Sequence, residues 1–227
     1  MKVSKKEIDK VAKDYNLGKV KSYELIPYGW VNFSYDIMTD KGRFVLQILT
    51  SEMNDWKKDK LRLELALLEY LHNANFPYAI PTPLKNLHSE SIGKIKGKPF
   101  RIYRRIEGET LKVLNEKQFR ECAKALAIYH KYLKNFKFKR KYEDFDKWDW
   151  ILKNYKKMKK VKPKNKTDLL MLENLPFFEK AVYELKKIDY SKERIFCHSD
   201  WHNGNLLFNK NKLTGIIDFD DVEFSLK

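Results

Sequence analysis

Cysteine is nearly absent from this sequence: Cys122 and Cys197 are the only two in 227 residues. They supply neither a disulfide framework nor a CxxC metal pattern, so both are read as reduced thiols. Long apolar runs are missing too. No stretch approaches the roughly 20 residues needed to span a bilayer, and the opening MKVSKKEIDKVAK lacks the apolar segment of a signal peptide. A soluble, cytoplasmic protein with no membrane partner is the expectation. There are no internal repeats, and no low-complexity tract beyond a lysine bias. Negative charge is scarce as well, with 31 acids against 47 Lys and Arg and a net charge of +16. What is present argues for a packed globule, because 43% apolar and 14% aromatic residues are too many for a disordered basic tail. The length suits one large or two small lobes.

The positive charge is concentrated. Residues 131–166 carry 15 Lys or Arg against four acids, interleaved with aromatics such as Tyr132, Phe136, Trp150 and Tyr155. Such a segment is able to hold nucleic acid through phosphates and stacking. A solvated helical face explains it better. Lys outnumbers Arg 39 to 8, whereas base readout favours Arg, and the aromatics recur at helical spacing. A nucleic-acid partner is therefore not expected.

Local patterns give the elements. Ser4 with Glu7 forms a capping box, followed by a helix with Ile8, Val11, Ala12 and Tyr15 on one face. VKSYELI, FSYDIM and RFVLQIL read as three antiparallel strands, the last two joined at Asp40-Lys41-Gly42. From Asp55 to Asn73 a helix with Leu61, Leu65, Leu68 and Leu71 on one stripe is expected, ended by Pro77, Pro81 and Pro83. SIGKIKG and KPFRIYRRI then form two more strands about a Lys96-Gly97 turn. Asn115 and Gln118 start a helix whose expected buried face is Phe119, Cys122, Ala123, Leu126, Ala127 and His130. Another helix is expected over 167–187, with Leu175-Pro176 starting, kinking or dividing it. RIFCHSD and LTGIIDFDD are short apolar strands ending in acids, with WHNGNLLF between them.

Residues 196–221, FCHSDWHNGNLLFNKNKLTGIIDFDD, pack polar groups into an apolar setting. Asp200, Asn205 and Asp218 bring two carboxylates and an amide oxygen to one place, which is oxygen-rich ligation of the kind Mg²⁺ prefers. Phosphoryl transfer also needs a carboxylate near the attacking hydroxyl, a place Asp200 suits. Three alternatives compete for these residues. His198, Asp200 and His202 form an HxDxH run with some likeness to a zinc site, but it lacks further His or Cys ligands. Asn203-Gly204-Asn205 could form a simple turn, and Asp218, Asp220 and Asp221 could serve only as caps. Each is adequate alone; none accounts for all three polar positions together.

HxDxxxxN followed by an apolar strand and IDFD resembles the aminoglycoside phosphotransferase and choline kinase family, and the wording HSDWHNGN and DFDD is similar to its homoserine kinase-like, hexosamine kinase-like and spore-coat kinase-like branches. The resemblance implies an α+β, two-lobed protein-kinase-like fold. A small antiparallel-sheet, nucleotide-binding lobe would span 1–103, a hinge 104–108, and a mainly helical lobe with the catalytic loop 109–227. It implies ATP and Mg²⁺ as cofactors, Asp200 as catalytic base, Asn205 and Asp218 as metal ligands, and His198 as a brace for the loop. The turn containing Gly29, Asn32 and Ser34 would cover the phosphates. Glu64 matches the family's helix glutamate, and Arg104 and Ile106 would offer hinge backbone to adenine.

Two departures stand out. Gln47 occupies the strand position where the family usually has a lysine for the phosphates, which removes a positive charge. The chain also ends nine residues after Asp218, where members of the family commonly continue with helices that help close the acceptor pocket, so the resemblance leads to the expectation of a C-terminal lobe truncated relative to the family. The expected function is transfer of the ATP γ-phosphate to a hydroxyl of a small molecule: an amino acid, sugar or amino alcohol. A cationic antibiotic is disfavoured by the lysine-rich C-terminal half. The alternatives are a nucleotide-binding pseudokinase or scaffold and a basic nucleic-acid-binding protein.

Overall fold

Ser4 opens α1 (Lys5–Asp14) by accepting from the Glu7 amide while the Glu7 carboxylate accepts from the Ser4 amide at 2.7 Å, the reciprocal cap that the spacing predicts. Ile8, Val11, Ala12 and Tyr15 are buried, as their periodicity requires. The computed structural model describes residues 2–27, 31–141, 147–188 and 194–226.

Five antiparallel strands follow: β1 (Val20–Leu25), β2 (Phe33–Thr39), β3 (Gly42–Ile48), β4 (Gly93–Ile95) and β5 (Lys98–Arg104). Their order is β1-β2-β3-β5-β4. The hairpins close where the sequence carries turn residues. Gly42 adopts φ 128°, and Lys96 and Gly97 adopt φ 49° and 75°. Because side chains alternate across a strand, the register sorts the two faces. Ile37, Phe44, Leu46, Ile48, Phe100 and Ile102 share one face and form the first core with α1. Ser34, Asp36, Val45, Gln47, Arg101 and Tyr103 share the other.

The remaining elements build the second core. Asn54 caps α2 (Asp55–Asn73) by accepting from the Lys57 amide. The helix buries Leu63, Leu67, Leu68 and Leu71; Leu61 and Leu65, expected on the buried stripe, are only half-buried. LRLELALLEYL has leucines on two overlapping stripes, so spacing admits either face and the neighbours decide. In α3 (Glu116–Leu133) the buried residues are Gln118, Cys122, Ala125, Tyr129 and Leu133. Only Cys122 belongs to the expected face, and Phe119 is 65% exposed. The face is rotated because Gln118 turns inward to complete the Asn115 cap and to donate to the Lys210 carbonyl, which carries Phe119 outward.

The helices α4 (Lys147–Met158) and α5 (Lys166–Lys186) pack on each other. α5 passes Pro176 as one helix, so the expected start or division at Leu175-Pro176 does not occur; proline removes a single backbone donor while the turns around it keep theirs. Two antiparallel pairs complete the chain. β6 (Arg194–Cys197) pairs with β9 (Glu223–Leu226), and β7 (Leu206–Asn209) with β8 (Lys212–Ile216). β7 and β9 were not expected. Phe196, Leu206, Phe208, Leu213, Ile216 and Phe219 join the α2 and α3 side chains in the core. Among the described residues no helix is long and apolar enough to cross a membrane.

Candidate active site

The segment after β6 is shaped by its own polar side chains. Ser199 takes φ 64°, an uncommon conformation for a non-glycine residue, and turns the chain into Asp200. His202 caps a short 3-10 turn at Asn203–Asn205 by accepting the Gly204 amide on Nδ1 at 3.0 Å. Asn205, 6% exposed, donates from Nδ2 to the Asp200 carboxylate at 2.7 Å and to the Asp200 carbonyl at 3.0 Å. With its nitrogen committed to Asp200, the amide leaves Oδ1 as the atom available to a ligand.

Asp218 is delivered to this place by one peptide unit. The Ile217 amide donates to the Asn205 carbonyl at 3.0 Å, and the Ile217 carbonyl lies 3.0 Å from His198 Nε2. A residue in the catalytic-type loop and another at its end thus grip the residue preceding Asp218, which itself takes φ 65°. His198 is 1% exposed and sits between Phe219, at 4.7 Å between centroids, and Trp201, at 5.6 Å. Bonding to a carbonyl places its proton on Nε2, and burial lowers its pKa from the usual value. Its Nδ1 has no partner among the described residues. Its Nε2 is thus committed to the Ile217 carbonyl, and no group of three or more His, Cys, Asp or Glu placed to hold a metal occurs among the described residues.

Electrostatics set Asp218 apart. Burial, the adjacent Asp220 charge and a hydrogen bond with Asp220 push its pKa up to about 7, against a lowering by Arg101. Crowded carboxylates in a partly desolvated place are under-compensated by the protein, and hard oxygen donors of this kind suit a divalent cation. The pH consequence has a definite sign. A carboxyl with pKa near 7 when folded and 3.8 when free binds more protons in the folded state between those values. The metal-free protein is therefore expected to lose stability as pH rises from about 4 to about 7 through this group, and Asp218→Asn to flatten that slope. Thermal unfolding across that range checks it.

On the sheet side, Gln47 and Glu64 do not meet directly. Arg101 joins them. It is paired with Gln47 in the β3–β5 ladder, donates from Nε to Gln47 Oε1 at 2.7 Å, and forms a buried ion pair from Nη1 to Glu64. Glu64 is 3% exposed and Arg101 1%. Sequence reasoning missed Arg101. The available signal was an arginine alternating with Phe100 and Ile102 in a strand, in a protein that otherwise prefers lysine. α2 is also tied to the loop after β8 by Lys60 and Asp221, 3.2 Å apart.

The other expected nucleotide residues are dispersed over the turn before β2, β2 itself, the end of β5 and the 104–108 segment. Gly29 lies outside the described residues. Asn32 Oδ1 accepts the Thr50 amide at 3.3 Å, tying the turn to the end of β3. Ser34 is opposite Gln47 in the β2–β3 ladder. The Arg104 guanidinium stacks over Phe44 at 5.4 Å, on the α1 side of the sheet. Ile106 packs against Gly215, where a Cβ would collide with it. The backbone here is fastened to β7 and β8: Thr214 Oγ1 donates to the Glu107 carbonyl at 2.8 Å, and Glu109 and Phe208 exchange both backbone bonds.

A family model described as the phosphotransferase enzyme family, APH, matches residues 22–225. The chain belongs to this family. Among its relatives is a homoserine kinase of Bartonella henselae, 27% identical over 210 residues, covering 90% of this chain and 61% of the relative. A homoserine kinase of Sinorhizobium medicae is 24% identical over 223 residues, covering 96% and 63%. The chain thus spans somewhat over three-fifths of the length of these relatives. Solved APH structures share the fold. Spectinomycin phosphotransferase with ADP and spectinomycin aligns with TM-score 0.69 and 17% identity, over 99% of this chain and 71% of the other. The APH(2")-IIa complex with streptomycin and ATP aligns with TM-score 0.62 and 18% identity, over 100% and 73%. The small-sheet and helical parts of this APH chain are accordingly the two lobes of a kinase-like α+β fold.

Proposed function

We propose that this APH family chain is an ATP- and Mg²⁺-dependent phosphotransferase that moves the γ-phosphate of ATP to a hydroxyl of a small molecule, with a hydroxyl-bearing amino acid such as homoserine as the first acceptor to test. The observation that carries the reading is the grip of His198 and Asn205 on the Ile217 peptide, which brings Asp218 beside the Asp200–Asn205 pair. The homoserine kinase likeness over 90% or more of the chain supports the acceptor class. The lobes are assigned as 1–103 and 109–227, with 104–108 as the hinge.

Each residue has a task in this reading. Asp200, with a 39% exposed side chain, accepts the hydrogen bond of the acceptor hydroxyl and takes its proton as the oxygen attacks. Asn205 holds the Asp200 carboxylate in place and, with Asp218, offers the oxygens that hold magnesium. When bound, magnesium–ATP supplies the phosphoryl group and neutralises charge that develops on it. Glu64 and Gln47 act at the phosphates through Arg101, and Asn32, Ser34 and Gly29 belong to the covering turn. Arg104 and Ile106 contribute hinge backbone. His198 stays neutral and structural.

Among the described residues of the basic 131–166 region, Lys159 pairs with Glu179 at 2.8 Å and lies over the Tyr155 ring, which supports a solvated helical face there. A coupled ATP-consumption assay with homoserine, choline-like amino alcohols and sugars is expected to show turnover that is lost on chelation of Mg²⁺ and restored by its return. ATP binding without turnover on any acceptor favours the pseudokinase alternative instead.

A further inference from the structure

A guanidinium buried in a sheet is costly unless its charge is paired and its nitrogens are used. Arg101 meets only part of that requirement. Its Nε is held by Gln47 across the ladder and its Nη1 by Glu64 from α2, whereas Nη2 donates to no acceptor among the described residues. The two bonds fix the plane of the fork, and one nitrogen is left to point at something else.

The surroundings indicate what that is. Lys60 lies one turn before Glu64 on α2 and pairs with Asp221 at 3.2 Å, so the helix face that holds Arg101 also meets the loop that carries Asp218. Tyr103, on the same sheet face, has its pKa pushed up to about 12, mainly by burial and against the lowering by Arg101. The guanidinium is therefore held to the α2 face that meets the loop after β8, on the strand face that carries Gln47 and Ser34. An arginine suits this place better than a lysine, because a planar fork satisfies two fixed partners and still presents a third donor to a phosphate oxygen.

We propose that Arg101 is the phosphate-binding cation of the nucleotide site, supplied from β5 rather than β3, with Gln47 and Glu64 as positioning residues that aim its free Nη2 at the phosphates. This rests on the kinase reading and specifies which residue replaces the positive charge that Gln47 does not carry.

Isothermal titration with ATP, ADP and adenosine in the presence of Mg²⁺ separates phosphate binding from base binding. Arg101→Met alone strands a buried Glu64, so the informative protein is Arg101→Met/Glu64→Gln, which leaves no unpaired charge. ATP affinity is expected to fall about 10- to 100-fold and adenosine affinity by less than about two-fold. The exchange Gln47→Lys/Arg101→Gln returns a cation to the same rung beside Glu64 and is expected to recover ATP affinity to within about five-fold of wild type. If Arg101→Met/Glu64→Gln keeps the wild-type preference for ATP over adenosine, or loses both ligands equally, Arg101 is only a brace and the inference falls. A wild-type protein that binds ATP no better than adenosine overturns the kinase reading itself, before any variant is measured.

Discussion

Replacing Asp200 with Asn is expected to lower phosphoryl transfer by about 10²- to 10⁴-fold, the range attributable to a positioned proton acceptor, while leaving ATP affinity and thermal stability close to wild type. Asparagine keeps the shape and still presents an oxygen to the Asn205 amide, which donates to the Asp200 carboxylate at 2.7 Å. What disappears is basicity. Because the side chain is 39% exposed, no buried charge is stranded by the change. The measurement is kcat in the coupled assay together with an ATP titration on the same preparation. Unchanged turnover removes Asp200 from the chemistry; loss of both turnover and ATP binding assigns it to the nucleotide instead.

Phe219→Ala is expected to destabilise the protein by about 3–5 kcal/mol, the usual result of emptying a fully buried aromatic site. Phe219 is 0% exposed and packs 4.7 Å from the His198 ring and 6.2 Å from the Tyr129 ring. Its loss therefore opens a cavity beside the histidine that grips the Ile217 carbonyl, and it lies between Asp218 and Asp220. For a chain of this length the melting temperature is expected to drop by about 10 °C, with activity failing below that transition because Asp218 loses its support. Phe119→Ala provides the contrast. At 65% exposure on α3 it is expected to stay within about 0.5 kcal/mol of wild type. Thermal and urea unfolding of the two variants side by side checks both values. Equal costs would place Phe119 on the buried face that periodicity suggested.

The contrast between those phenylalanines shows what kinds of information a sequence carries. Ser4–Glu7 and Asn115–Gln118 announce helix starts because both partners of each cap lie three residues apart. Asp40-Lys41-Gly42 and Lys96-Gly97 announce hairpins because positive φ is a property of the turn itself. The buried stripes of α2 and α3 are different. Leucines occur on more than one stripe of α2 and alanines on more than one stripe of α3, so the identity of the packing partner selects the face. β9 was invisible for a similar reason, since Glu223–Leu226 becomes a strand only by pairing with Arg194–Cys197.

The same division runs through the candidate site. Asp200 and Asn205 stand five residues apart in one loop, and the β7–β8 excursion returns the chain to Asn205 at Ile217, next to Asp218; their oxygens are donors of the kind that hard cations prefer. The sequence by itself therefore named the proposed donor atoms, the loop that carries two of them, and the neutral Gln47 where a cation is expected. The tertiary structure alone supplies the cation proposed to stand in for it. Arg101 is 54 residues from Gln47 and 37 from Glu64, and nothing local joins the three. A ladder register and the packing of α2 do so, because a buried guanidinium is tolerated only where distant parts of the chain supply its acceptors together.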